Sequence, residues 1–263
     1  MLSPILVTGG TGTLGSLVVA RLRQAGLEVR VLSRAARSAA EGIQNVIGDL
    51  DTAEGIDAAV ARVERIVNCA GAQKGDDVKA RHLVEAAARA GVRHLVHISV
   101  VGADRVPVES RLDRAMFGYF ESKLAAERVV AGSGVPWTIL RATQFHTLQL
   151  AVAEAMARLP LIPVPSGVRF QPVDTREVAD RLVELVMGEP AALVPDFGGP
   201  RIYRMADLIR GYLRARGKRR LLVPMRIPGK AAAAVRAGAL LAPDRAIGKR
   251  TWEDFLAERV RRR

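Results

Sequence analysis

The stretch Thr8-Gly9-Gly10-Thr11-Gly12-Thr13-Leu14-Gly15 decides the fold. Before it lies Ile5-Leu6-Val7, an apolar run whose β-branched content and abrupt glycine stop predict a buried strand. After it, Leu14, Leu17, Val18 and Leu22 share one helical face up to Ala25, and Gly26 supplies a C-terminal cap. Gly9, Gly12 and Gly15 therefore form G-x-x-G-x-x-G between a strand and a helix. In that setting the first glycine permits the tight turn and the second lets the backbone approach a pyrophosphate. The third lets helix and strand pack closely. The helix N-terminus then offers free N–H groups and partial positive charge to phosphates. The loop implies dinucleotide binding, against the alternative of a plain glycine turn.

Outward from the loop, short apolar runs alternate with helical patterns. Val29–Leu32, Asn45–Ile47, Arg65–Cys69, His94–Ile98 and Trp137–Leu140 read as strands. Asp76–Ala90, closed by Gly91, and Tyr119–Ala131 read as helices. Such alternation predicts an α/β fold, a doubly wound parallel sheet of the Rossmann type. From residue 142 the rhythm changes: Pro160, Pro163, Pro165 and Pro172 punctuate a loop-rich stretch. Helical patterns return at 177–187, 205–215, 231–242 and 251–261. The expected organisation is a dinucleotide-binding core over 1–141. A smaller, mostly helical lobe over 142–263 is expected to pack on it as a single compact unit.

Composition removes other classes. The 263 residues are 49% hydrophobic and 25% charged, which excludes disordered and coiled-coil chains. Cys69, the single cysteine, excludes a disulfide framework, and His82, His94, His97 and His146 suggest no metal cluster. Aromatics at 4% are too few for a base-stacking platform. The N-terminus lacks a basic stretch before its apolar run, so no signal peptide is expected. The longest apolar stretch, Leu221–Ala242, is broken by Arg226, Lys230, Arg236 and two prolines and should not span a membrane. The expected location is cytoplasmic.

The formal charge of +13 is unevenly placed: residues 201–263 hold 18 Lys/Arg against 5 Asp/Glu. A solvated arginine-rich surface explains this, and so does a basic lobe facing an acidic partner or anionic surface. Residues 231–242 could form an amphipathic helix, but Trp and Lys are sparse and no DNA-binding motif is present. No strong nucleic-acid or membrane signal emerges, and oligomeric state stays open.

The end of the second strand selects the cofactor. NAD sites place an acid there for the ribose 2′-OH. This chain has Ser33-Arg34, with Arg37 close by and no acid before Glu41. An arginine fork pairs a 2′-phosphate, so NADP is expected rather than NAD.

The loop at Thr8–Gly15, together with Gly48-Asp49-Leu50 and Asn68-Cys69-Ala70-Gly71, resembles the short-chain dehydrogenase/reductase superfamily. More closely, the chain resembles its atypical, NmrA-like, NAD(P)H-binding branch, over nearly its whole length including Phe170–Asp174. Cofactor contacts are expected from Thr8, Gly9, Gly12, Thr13, Leu14 and Gly15 in the loop and from Ser33, Arg34 and Arg37. The resemblance adds Asp49, Leu50, Cys69, Ala70 and Gly71. For Asp49 the alternative is a turn cap. Cys69 itself reads as a small core residue, not a nucleophile.

Tyr119-x-x-x-Lys123 places a phenol and an ammonium on one helical face. A nearby cation stabilises phenolate and should lower the tyrosine pKa. The resemblance makes Tyr119, Lys123 and Ser99 a reductase triad, with Lys123 also on the nicotinamide ribose. Thr143, Gln144 and Phe145 are implied to line the substrate pocket. The fuller tetrad uses an asparagine on the helix at 76–90, and this chain has none there. His146 is a candidate acid/base group, though a lone histidine is more often structural.

Two functions lead. One is an NADP-dependent oxidoreductase passing hydride between nicotinamide and a carbonyl or activated double bond of a small molecule. The alternative is a non-catalytic NADP-binding redox sensor acting through a protein partner.

Overall fold

A computed structural model describes residues 3–36 and 41–261. The described residues form eleven strands and nine α-helices. In chain order these are β1 (Ile5–Thr8), α1 (Gly15–Gln24), β2 (Val29–Ser33), β3 (Ile43–Ile47), α2 (Ile56–Val60), β4 (Arg65–Asn68), α3 (Asp76–Arg89) and β5 (His94–Val100). Then follow α4 (Arg111–Ala131), β6 (Trp137–Ala142), α5 (His146–Met156), β7 (Leu161–Pro165), β8 (Arg169–Phe170), α6 (Thr175–Met187) and β9 (Ala192–Leu193). The chain ends with β10 (Tyr203–Arg204), α7 (Met205–Ala215), β11 (Leu221–Met225), α8 (Lys230–Ala237) and α9 (Trp252–Arg261).

Seven strands make one parallel sheet in the order β3-β2-β1-β4-β5-β6-β9, the doubly wound fold expected. Every residue of β1 and β5 is buried, because helices cover both faces and no strand side is left to water. At the edge, β3 is only partly buried. Successive strands 1, 2 and 3 run one way from the centre and 4, 5 and 6 the other. The order therefore reverses between β1 and β4, where Thr8 pairs with Asn68. Ligands of open α/β sheets bind beyond the strand ends at such a switch point.

By internal contacts the chain forms two units. The first comprises Met1–Ser99, Gly118–Arg141 and Arg176–Pro195. Its core joins Leu6, Ile66 and Leu95 of the sheet to Leu83 and Ala87 of α3 and Ala126 and Val130 of α4. The second comprises Val100–Phe117, Ala142–Thr175 and Asp196–Arg263. Its core gathers Ala153, Ile162, Leu208, Ile209, Tyr212, Trp252 and Phe255.

Five elements depart from the sequence expectation in ways the structure explains. Helix α4 starts at Arg111, eight residues before Tyr119, because Ser110 and Asp113 form a reciprocal cap. Ser110 N–H and Oγ–H donate to Asp113 Oδ2 at 3.1 and 2.8 Å, and Asp113 N–H donates to Ser110 Oγ at 3.0 Å. Helix α5 fills part of the stretch expected to be loop; its N-cap, Phe145, makes no side-chain cap, so no start signal marked it. Strands β7 and β11 contain Pro163 and Pro224, which a two-stranded pair tolerates because both its members are edges. Helix α8 ends at Ala237 and not at 242, stopped by Gly238 at φ 106°.

Candidate active site

The glycine loop joins β1 to α1, and its glycines do different things. Gly9 sits at φ 64°, and a Cβ there would lie 2.7 Å from the backbone of Cys69 and Ala70. A Cβ on Gly15 would lie 2.2 Å from Gly9 O, so this glycine lets the helix close on the loop. Gly12 is exposed, and a Cβ there would meet only Gly9 O, at 3.3 Å. Internal packing therefore demands Gly9 and Gly15 but barely Gly12, whose bare face is turned outward. Helix α1 starts at this point with no side-chain cap and no acid in its first turn. The N-terminal positive pole is thus uncompensated, and the loop fits a pyrophosphate.

Beneath the loop, the ends of β1, β4 and β5 are tied by a polar chain. Thr8 Oγ1–H donates to Asn68 Oδ1 at 2.6 Å, and Asn68 Nδ2–H donates to His97 Nδ1 at 2.9 Å. His97 is therefore neutral, with its proton on a buried Nε2 that has no partner among the described residues. Burial, helped by Lys123, pushes its pKa down to about 3.

Around this end of the sheet stand the reactive candidates of the first unit. Lys123 Nζ lies 2.9 Å from Asp76 Oδ2, both side chains being almost fully buried. Asp76 opens α3, and its Oδ1 accepts the Ala72 N–H at 2.7 Å, holding the Gly71–Gly75 loop. Its own N–H donates to Ser122 Oγ at 3.2 Å. Lys123 Nζ also lies 5.7 Å from the centre of the Tyr119 ring and so close to Gly71 that a Cβ there would sit 2.7 Å away. Ser99 Oγ is buried without a hydrogen-bond partner among the described residues.

One expectation is corrected. Lys123 does favour the Tyr119 phenolate, but desolvation of the phenol outweighs it and Asp76 opposes it, so the pKa is raised, not lowered. Asp76 is the residue that sequence reading passed over. It stands at the start of the helix where an asparagine was sought, and an acid in a first helical turn reads as a simple dipole partner.

The NAD(P)H-binding family matches residues 9–185. The chain belongs to this family. NAD(P)H binding is also what the sequence resemblance implied. It is 33% identical over 195 residues to a (4-alkanoyl-5-oxo-2,5-dihydrofuran-3-yl)methyl phosphate reductase of Streptomyces griseus, covering 70% of this chain and 63% of that one. It is 32% identical over 182 residues to an NAD(P)H azoreductase of Xenophilus azovorans, covering 66% and 60%. These matches span less than two-thirds of either relative. An NADPH complex of an NADPH-dependent quinone oxidoreductase from Escherichia coli superposes with a TM-score of 0.81 at 18% identity, over 97% of this chain and 99% of that one. At that identity the likeness concerns the fold.

The remaining residues expected to face the cofactor of this NAD(P)H-binding chain divide clearly. Thr13 is exposed, whereas Leu14 packs inward from the N-terminus of α1. Ser33 ends β2, its Oγ–H on Ala35 O, and Arg34 is exposed beside it; Arg37 lies outside the described residues. Asp49 Oδ1 accepts the Asp51 N–H at 2.9 Å, so it caps a turn. The Leu50 side chain belongs to the hydrophobic core, and its carbonyl is bonded by His82 Nδ1 at 2.8 Å. Ala70 and Cys69 are half-buried, and burial pushes the Cys69 thiol up to about 12, so it stays protonated and unreactive.

In the second unit, Thr143 and Gln144 are engaged internally. Thr143 Oγ1–H donates to Gln171 O at 2.6 Å and accepts the Gly199 N–H at 3.2 Å. Gln144 Nε2–H donates to Leu240 O and its Oε1 accepts the Gln171 N–H, at 3.1 and 3.2 Å. Gln171 extends this knot to Gly199 and Ala242. Phe145 alone of the three is partly exposed. His146 is wholly buried against the rings of Trp252 and Phe255 at 5.9 and 5.1 Å, and burial pushes its pKa down to about 4. It is a core histidine. Among the described residues no group of three His, Cys, Asp or Glu could hold a metal, and no helix is long and apolar enough to cross a membrane.

Proposed function

We propose that this chain is an NADPH-dependent oxidoreductase of the cytoplasm that reduces a carbonyl or activated double bond in a small molecule. The observation that carries the reading is the Lys123 ammonium, buried between Asp76, Gly71 and the face of Tyr119. When bound, NADPH supplies the hydride. The glycine loop holds the pyrophosphate, Gly12 letting the backbone come close. Arg34 pairs the 2′-phosphate through its planar fork.

Tyr119 donates the proton to the substrate oxygen. The phenol is protonated at neutral pH, as an acid catalyst must be; its raised pKa makes it a weaker donor than free tyrosine, and Lys123 offsets part of that by stabilising the phenolate left behind. Ser99 Oγ, buried without a partner, offers a hydrogen bond to the substrate oxygen. Of the three residues expected at the substrate, Phe145 alone keeps an open surface, Thr143 and Gln144 being held by hydrogen bonds inside their own unit. Two relatives, those of Streptomyces griseus and Xenophilus azovorans, are reductases by name, which supports the same reading.

The non-catalytic sensor draws on one fact: the charge of Lys123 is already balanced by Asp76. Spectroscopic assay of NADPH consumption against a panel of aldehydes, ketones, quinones, enones and azo dyes separates the two. Turnover of one or more members is expected. Tight NADPH binding with no turnover across the panel would favour the sensor.

A further inference from the structure

In the two-stranded β7-β11 pair, β7 alternates between buried and open positions, while β11 is exposed at all but Leu222. Ile162 and Val164 point inward and are buried, while Leu161 and Pro163 point outward. Leu161 is paired with Leu221 and Pro163 with Val223, while Met225 stands opposite Pro165 at the far end. The outward row is open: Leu221 is 64% exposed, Leu161 55%, Met225 45% and Val223 40%. At its beginning lies a cleft of about 550 Å³ lined by Arg158, Pro160, Arg219, Arg220 and Leu221. The three arginines are exposed and have no carboxylate partner among the described residues, Arg220 donating only to Arg219 O. Helix α8, the segment for which the sequence suggested an amphipathic face, buries Ala231, Ala232 and Val235 and is not part of this surface.

We infer that this face docks on an anionic phospholipid bilayer, the arginine cleft taking lipid phosphates and the Leu161/Leu221/Val223/Met225 row entering the outer acyl region. The chemistry selects that partner. An exposed apolar row matches hydrocarbon, and guanidinium groups without a carboxylate partner at its end match the phosphate layer beside it. A second copy would bring like charges together, and nucleic acid offers nothing to the apolar row. The arginine-rich charge of residues 201–263 strengthens attraction to an anionic leaflet.

Co-sedimentation of the full chain with phosphatidylcholine vesicles, and with the same vesicles carrying about a third phosphatidylglycerol, tests this at physiological ionic strength. Binding to the anionic vesicles alone is expected. Arg158→Glu/Arg219→Glu/Arg220→Glu should lower the partition coefficient on the order of a hundredfold, at a few-fold per arginine. Leu161→Ser/Leu221→Ser should lower it at least about tenfold. All five positions are exposed, and an unchanged circular dichroism spectrum and melting point confirm that the variants fold. Reversing three exposed arginines elsewhere, Arg81→Glu/Arg93→Glu/Arg128→Glu, makes the same charge change and should cost far less. Equal binding to both vesicles, no binding, or equal loss from both triple variants would overturn the inference. So would a dimer in sedimentation velocity that Leu161→Ser/Leu221→Ser dissociates.

Discussion

Asp76 and Lys123 form a buried ion pair at 2.9 Å, joining the first residue of α3 to the helix that carries Tyr119. The pair fixes where the lysine charge sits. It also restrains that charge, since Asp76 raises the Tyr119 pKa while Lys123 lowers it.

Asp76→Asn should therefore leave the ammonium in place and strengthen its pull on the phenol. The alkaline limb of the pH–rate profile is expected to move to lower pH, because Tyr119 loses its proton sooner. An unmoved limb would show that Asp76 only builds structure. Asp76→Ala, which strands a buried cation, should instead destabilise the fold by about 3–5 kcal/mol in denaturant titration.

The glycine loop gives a second contrast. Gly9→Ala forces a side chain into φ 64° and to 2.7 Å from the β4 end, so it should lower the melting point markedly. Gly12→Ala needs its neighbour to yield only a few tenths of an ångström. It should melt close to the parent while binding NADPH at least about tenfold more weakly, a loss of about 1.4 kcal/mol. Equal effects of both variants on stability would argue against a phosphate role for Gly12.

Arg34→Ala should erase discrimination between the two cofactors. Calorimetry is expected to show NADPH bound at least about tenfold more tightly than NADH by the parent, and equally by the variant. Loss of NADH affinity to the same degree would place Arg34 elsewhere than the 2′-phosphate.

His146 and His97 set an acid limit. Their native pKa values, about 4 and about 3, lie below the ordinary 6.5. Above that value both rings are neutral folded or unfolded, and their contribution is complete. As pH falls the unfolded chain takes protons first, so stability is lost from pH 6.5 towards 4 for His146 and on towards 3 for His97. At pH 5 the His146 loss should be about 2 kcal/mol. Urea titrations at pH 7 and 5 should show a drop for the parent that is smaller by that amount in His146→Phe.

Much of this was legible in the sequence. Ile5–Val7, Val29–Leu32 and Arg65–Cys69 read as strands because a parallel sheet covered on both faces needs near-continuous apolar runs. The glycine loop read as a phosphate site because strand, turn and helix all agree there. The start of α4 was also written, as Ser110-x-x-Asp113, but lay under a motif that drew attention to Tyr119. Helix α5 carried no cap to announce it, and the prolines of β7 and β11 imitate a loop unless their pairing is known. The engagement of Thr143 and Gln144 with Gln171, 28 and 27 residues away, depends on tertiary contacts that no local pattern encodes. So does the partnership of Asp76 with Lys123.

The most direct test of the central claim is the turnover of Tyr119→Phe with NADPH and the best substrate of the panel. The substitution keeps the ring beside Lys123 and removes only the transferable proton. The rate is expected to fall about 10²–10⁴-fold with NADPH affinity unchanged, the worth of general acid catalysis. A variant that turns over at the parental rate would contradict the assignment of Tyr119 as the acid.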